Sequence, residues 1–143
     1  MIAAWLQFTS IAVALCLGFA GSAFAADSSA TMSKDAYKAA KDKIEATYKA
    51  DKKACDGMKD NAKDVCNAEA KGKEKVAKAE LDAQNKPGPK ADEKLNKAKA
   101  DAEYDVAKEK CEDQKGAAQS TCKKEAKVAH DGAKAQAKAA NKS

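Results

Sequence analysis

An all-α protein of two tandem helical hairpins, each closed by one disulfide, is the fold this sequence predicts. Three observations carry that expectation. Shifting the 143-residue chain by 56 positions lays Cys55 on Cys111 and Cys66 on Cys122. The same shift lays Tyr48 on Tyr104, Lys59 on Lys115, Ala62 on Ala118 and Glu69-Ala70-Lys71 on Glu125-Ala126-Lys127, and 18 of 50 positions match across Lys34 to Ala83. Within each copy the apolar residues recur every three or four positions, the period of an α-helix. Richness in lysine and alanine inflates the match, so the cysteines and tyrosines carry it.

The first 25 residues hold no charged side chain, every Phe and the single Trp. The apolar stretch from Ile11 to Phe19 is far shorter than the roughly 20 residues a transmembrane helix needs. Ala23-Phe24-Ala25 ahead of Ala26 is a small-x-small cleavage site, so residues 1–25 read as a secretory signal peptide with cleavage after Ala25. Lys and Arg are missing from its amino-terminal region, and a lipoprotein reading on Cys16 meets Leu15 where a small residue is wanted. Residues 26–33 form a flexible leader.

The first hairpin is expected over residues 34–86. Ser33 caps a helix from Lys34 to Cys55, whose Tyr37, Ala40, Ile44, Tyr48 and Cys55 lie on one stripe. The turn Asp56–Asp60 offers Gly57 for a left-handed position, and Asn61 caps a second helix reaching about Asn85. That helix carries Ala62, Val65, Glu69, Gly72, Val76, Ala79 and Ala83 at steps of three and four, a seam of mostly small residues that lets a neighbour approach closely. Pro87-Gly88-Pro89 is the linker, because proline removes a donor and restricts its predecessor. The second hairpin follows over residues 90–140: a helix to Cys111, a turn containing Gly116, and a last helix ending near Ala140. Five pairs place an acid four residues before a lysine: Glu45–Lys49, Glu69–Lys73, Glu74–Lys78, Asp82–Lys86 and Glu93–Lys97. Each supports an exposed helix by about 0.2–0.5 kcal/mol. Whether the four helices close into a loose four-helix bundle or stay two jointed hairpins is open at this level.

After Ala25 the chain has 12 large apolar side chains in 118 residues. Burying one is worth about 1.5–3 kcal/mol, against about 1–2 kcal/mol to order each residue's backbone. Cross-links must therefore supply what the core cannot. Four cysteines remain, an even number in a chain bound for an oxidising space. In an antiparallel hairpin the end of one helix meets the start of the next, which favours Cys55–Cys66 and Cys111–Cys122. Cys55–Cys122 with Cys66–Cys111, and a four-cysteine metal site, stay open as alternatives. Zinc ligands are usually two to four residues apart, however, and redox pairs have the form Cys-x-x-Cys.

All 27 basic residues are Lys, and the net charge is +5. Arg is the residue used for bidentate grips on phosphate and bases, so its absence argues against a nucleic-acid reader. His130 is the single histidine and reads as a solvent-facing helical residue, while Tyr48 and Tyr104 read as rings packed in the hairpin seams. No Ser-His-Asp set, phosphate-cradling loop or paired acids in an apolar pocket is visible, and so little bulk to exclude water makes pKa tuning difficult. An interfacial membrane helix would want Trp, Phe or Leu opposite its lysines; two Leu are all the chain has after Ala25.

The run Asn61-Ala62-Lys63-Asp64-Val65-Cys66, continuing through Ala68-Glu69-Ala70-Lys71-Gly72-Lys73-Glu74-Lys75-Val76-Ala77-Lys78-Ala79-Glu80-Leu81, resembles small Ala/Lys-rich secreted proteins of β-proteobacteria, often loosely labelled cell-envelope or TolA-like. The resemblance implies a periplasmic location and carries over no catalytic or ligand residue.

The functional expectation is a non-enzymatic periplasmic helical protein with an envelope structural or stress-associated role and no cofactor. The alternative is a helix-mediated binding module, whose partners would be a second copy, another envelope protein or, weakly, an anionic envelope polymer. No specific nucleic-acid partner and no membrane span after Ala25 are expected.

Overall fold

The computed structural model describes residues 31–141. Ala23, Ala25 and Ala26, where the sequence leads one to expect signal-peptide cleavage, lie outside them. Four helices follow one another: α1 (Lys34–Cys55), α2 (Asp60–Asn85), α3 (Pro89–Cys111) and α4 (Gly116–Ala140). Ser33 caps α1 as its sequence predicts, its hydroxyl accepting from the Ala36 amide at 3.2 Å, with Asp35 in the first turn and Lys52 and Lys53 in the last. Those charges oppose the helix dipole at both ends.

The turns hold two departures from expectation. Asn61 does not cap α2: Lys59 holds that position without a side-chain bond, and Asn61 Nδ2 instead donates to the Glu109 carbonyl of α3 at 2.8 Å. A tertiary acceptor outcompetes the local one. The left-handed residue is not Gly57 but Asp60, at φ 51. Its repeat equivalent, 56 positions on, is Gly116 at φ 60. Both hairpins thus share one turn geometry, in which the second copy holds the residue suited to it and the first holds a strained one. Pro89 belongs to α3 rather than to the linker, because its missing amide costs nothing at the first helical position. Gly88 before it sits at φ 147, a conformation that side chains rarely adopt.

Packing is strictly between neighbours. α1 lies on α2, α2 on α3 and α3 on α4, and among the described residues α1 and α4 do not touch. The molecule is an open row of antiparallel helices, so the closed-bundle alternative is not formed. A closed bundle needs a centre filled by large side chains from all four helices, and here the buried set is Cys55, Ala70, Ala79, Leu81, Ala100, Ala102, Cys111 and Ala137. Such residues can seal a pairwise seam but cannot fill a shared core. The bulkiest fully buried side chains are the two cysteines.

The hairpins meet along α2 and α3. A Cβ placed on Gly72 would stand 2.9 Å from the Ala102 Cβ, so the axes approach until backbone meets methyl. Around that point run Lys75–Asp105 at 2.9 Å, Lys99–Glu80 at 3.6 Å and Lys110–Glu69 at 3.8 Å. Of the five acid-before-lysine pairs, Glu74–Lys78 closes at 2.6 Å among the described residues, while Glu69, Asp82 and Glu45 reach lysines of neighbouring helices. These exposed pairs align the seam more than they stabilise it.

Two substitutions probe this architecture. Gly72→Val should cost about 1–3 kcal/mol by prising α2 from α3, and Ala102→Gly in the same chain should recover part of it, read from thermal melts of the two variants. Asp60→Gly should raise stability by up to about 1 kcal/mol by releasing the left-handed strain, whereas Gly116→Ala should lower it.

Candidate functional site

Four features depend on more than one helix: the clipped joints, a polar cluster repeated in each hairpin, a carboxylate shared among three helices, and a line of grooves along one face of the row. At the joints, Cys55 bonds Cys66 and Cys111 bonds Cys122, each with Cα atoms 5.7 Å apart. The bridges are those favoured by the ten-residue spacing, and with all four thiols consumed a four-cysteine metal centre is not formed. Cys55 and Cys111 are wholly enclosed, whereas Cys66 and Cys122 are half-buried.

The polar clusters occupy equivalent places under the 56-residue shift. In the first hairpin, Lys78 Nζ donates to Glu74 Oε1 at 2.6 Å and stands 4.0 Å from Glu45 Oε1. In the second, the counterparts of Glu45 and Glu74 are Asp101 and His130, joined Oδ1 to Nε2 at 2.6 Å. The His130 Nδ1 is 3.6 Å from Asp131, and its ring stacks on Tyr104 with centroids 4.6 Å apart. His130 is therefore not solvent-facing; its side chain is 12% exposed. The repeat alignment held the signal for this, since it sets Tyr48 on Tyr104 and Glu45 on Asp101. A lone histidine read on its own helix could not reveal an acid on α3.

A third cluster fastens the open end of the row. The Tyr37 hydroxyl donates to Asp82 Oδ1 at 2.6 Å, and Lys94 donates to Oδ2 of the same carboxylate. Lys94 and then Tyr37 hold the Asp82 carboxyl below its ordinary range, and the same carboxylate raises Tyr37 and Lys94 above theirs. One acid from α2 thus ties α1 to α3.

On one face the row is grooved. Ile44, Tyr48, Ala70 and Ala77 line a groove of about 200 Å³ between α1 and α2. Between α2 and α3 lies the largest, about 620 Å³, floored by Gly72, Val76, Ala77, Ala102, Val106 and Ala107. Tyr104, Ala107, Ala126, Ala129 and Ala133 line one of about 210 Å³ between α3 and α4. Lys73 and Ala77 border the first two, and Glu103 and Ala107 the last two, so the three are continuous. The central groove is rimmed on α2 by Glu69, Lys73 and Glu80 and on α3 by Lys99, Glu103 and Lys110. Sequence reasoning found its floor as the small-residue seam of α2. It missed the groove, because the open row that leaves that seam uncovered on one side is a tertiary property.

Among the described residues, no helix is long and apolar enough to cross a membrane. Comparison of the chain with known protein families, curated proteins and solved structures finds no match.

The Asp82 cluster predicts a two-sided pH dependence. A lowered carboxyl contributes stability that is present above the unfolded value, about 4, and is lost as pH falls through the folded one. Raised Tyr37 and Lys94 contribute stability that is present below about 10 and is lost as pH rises through their folded values. Asp82→Asn should flatten both flanks of a plot of melting temperature against pH, and unchanged flanks would place the pH dependence elsewhere.

Proposed function

We propose that this protein is a non-catalytic helical scaffold of the periplasm, acting through its surfaces in an envelope structural or stress-associated role. The observation that supports this best is the replacement of an apolar core by two covalent joints. Each bridge closes an 11-residue separation, worth about 3 kcal/mol in the chain-entropy model, and the remaining buried surface is mostly alanine. A chain stabilised in that way holds its shape where thiols are oxidised and loses it where they are reduced, which fits an exported protein. Export itself is proposed from the cleavage site ahead of Ala26.

A second reading, the binding module, is favoured by one specific observation: the 620 Å³ groove with its apolar floor and charged rims. Grooves of that form accept the apolar face of a helix. Both readings need the row intact, and they differ in whether the groove is occupied.

Gene deletion with complementation tests the scaffold. A strain lacking the chain should become sensitive to envelope stress such as detergent or heat, and the intact protein should restore resistance. Replacing Cys55, Cys66, Cys111 and Cys122 by Ser should lower the melting temperature and abolish the rescue. Asp82→Ala and His130→Ala variants that remain helical should still rescue. If one such side chain abolished rescue while the fold stayed intact, the non-catalytic reading would fail.

A further inference from the structure

From the central groove we infer that two copies of this chain stack face to face, α2 of each over α3 of the other, about a two-fold axis parallel to the helices. The inference deepens the binding-module reading of the groove and does not depend on the export or stress roles. Helices with an apolar side normally bury it against a second layer. Among the described residues there is a single layer, and the half-buried Val76, Ala77, Val106 and Ala107 lie on a face that no other described element covers.

What covers that face is argued from charge. Along α2 the rim reads Glu69, Lys73, Glu80, and along α3 it reads Lys99, Glu103, Lys110, opposite signs in the same order. The helices are antiparallel, so Glu69 sits level with Lys110, 3.8 Å away, and Glu80 level with Lys99, 3.6 Å away. A two-fold axis running between and parallel to them, above the groove, carries the α2 rim of the second copy over the α3 rim of the first at the same height. Glu69 then faces Lys110, Lys73 lies beside Glu103, and Glu80 faces Lys99, each twice. The perpendicular in-plane axis fails, because it sets Glu69 over Glu80. The rim is neutral, with three Glu and three Lys, in a chain of net charge +5, so two copies meeting here bring no excess of like charge from the rim.

The area suffices. Helices of 22 to 26 residues are about 33–39 Å long, and four side by side at about 8–10 Å spacing offer a face of about 1,000 Å². A standard interface takes about 800 Å² from each partner. Seated so, Val76 and Val106 of one copy fill the groove of the other, as ridges enter grooves between packed helices.

Charge swapping at two exposed positions tests the pairing. Sedimentation velocity of the oxidised protein across a hundredfold concentration range should show a monomer passing to a dimer. Lys73→Glu sets an acid against Glu103 of the second copy, and Glu103→Lys a base against its Lys73. Each alone should weaken the dimer about tenfold, with circular dichroism confirming an intact fold. The double variant Lys73→Glu/Glu103→Lys recreates opposite charges and should return to near the parent affinity. A protein that stays monomeric throughout would overturn the inference and leave the groove to a different partner. A dimer that neither single variant weakens would overturn it too, since it would form through another surface. Neither result would bear on the scaffold reading, which complementation tests separately.

Discussion

Sulfur takes the place that large aliphatic side chains hold in most helical domains. Cys55 and Cys111 are the bulkiest wholly buried side chains, and each sits where one helix hands over to the next. Two antiparallel helices sealed by alanine would separate readily, because a methyl-lined seam contributes little apolar burial per residue. Fixing the joint covalently removes much of the entropy of bringing the helices together, and the alanine seams then need only hold an arrangement already imposed. The open row follows from the same constraint. With no shared core to fill, nothing draws α1 round to meet α4, and each helix packs on its neighbours alone.

Within that row the joint between the hairpins is the demanding contact, since no bridge spans it. Its closeness comes from Gly72 against Ala102, and its register from charged pairs and from Asn61 reaching the end of α3. Glycine inside a helix costs about 1 kcal/mol of propensity. It is tolerated at 72 because backbone contact with α3 is regained there, and the Asp82 carboxylate, gripping both Tyr37 and Lys94, extends the fastening to α1.

Much of this was legible in the residues. The helix boundaries, the Ser33 cap, the hairpin pairing of the cysteines and the small-residue seam all depend on local propensity or on spacing, which sequence encodes directly. Asn61 and Gly57 were misjudged because each is a good local candidate that tertiary structure overrode. Gly57 corresponds to Asp113 in the second copy, whereas Asp60 corresponds to Gly116, so the alignment already favoured position 60 for the left-handed turn. His130 was misread for the opposite reason: its partners Asp101 and Tyr104 belong to α3, and periodicity within α4 says nothing of them. The groove was beyond reach, because it exists only where a row fails to close.

The repeat also explains why association, if it occurs through this fold, should involve the face rather than the edges. A tandem array grows by setting the last helix of one unit against the first helix of the next, as α2 is set against α3. In that register the counterpart of Gly72 on α4 is Val128, and the counterpart of Ala102 on α1 is Ala46. Val128 stands 73% exposed on the outer side of α4, with a branched side chain at the point where the internal joint admits no Cβ. Lys138 would meet Lys38, where Asp82 meets Lys94 within the chain. Steric bulk and like charge therefore block end-to-end growth, as the outer surfaces of terminal repeats commonly do. On the grooved face the valines Val76 and Val106 flank a trough of Gly and Ala that can receive those of a second copy, and Glu69 and Glu80 stand level with Lys110 and Lys99.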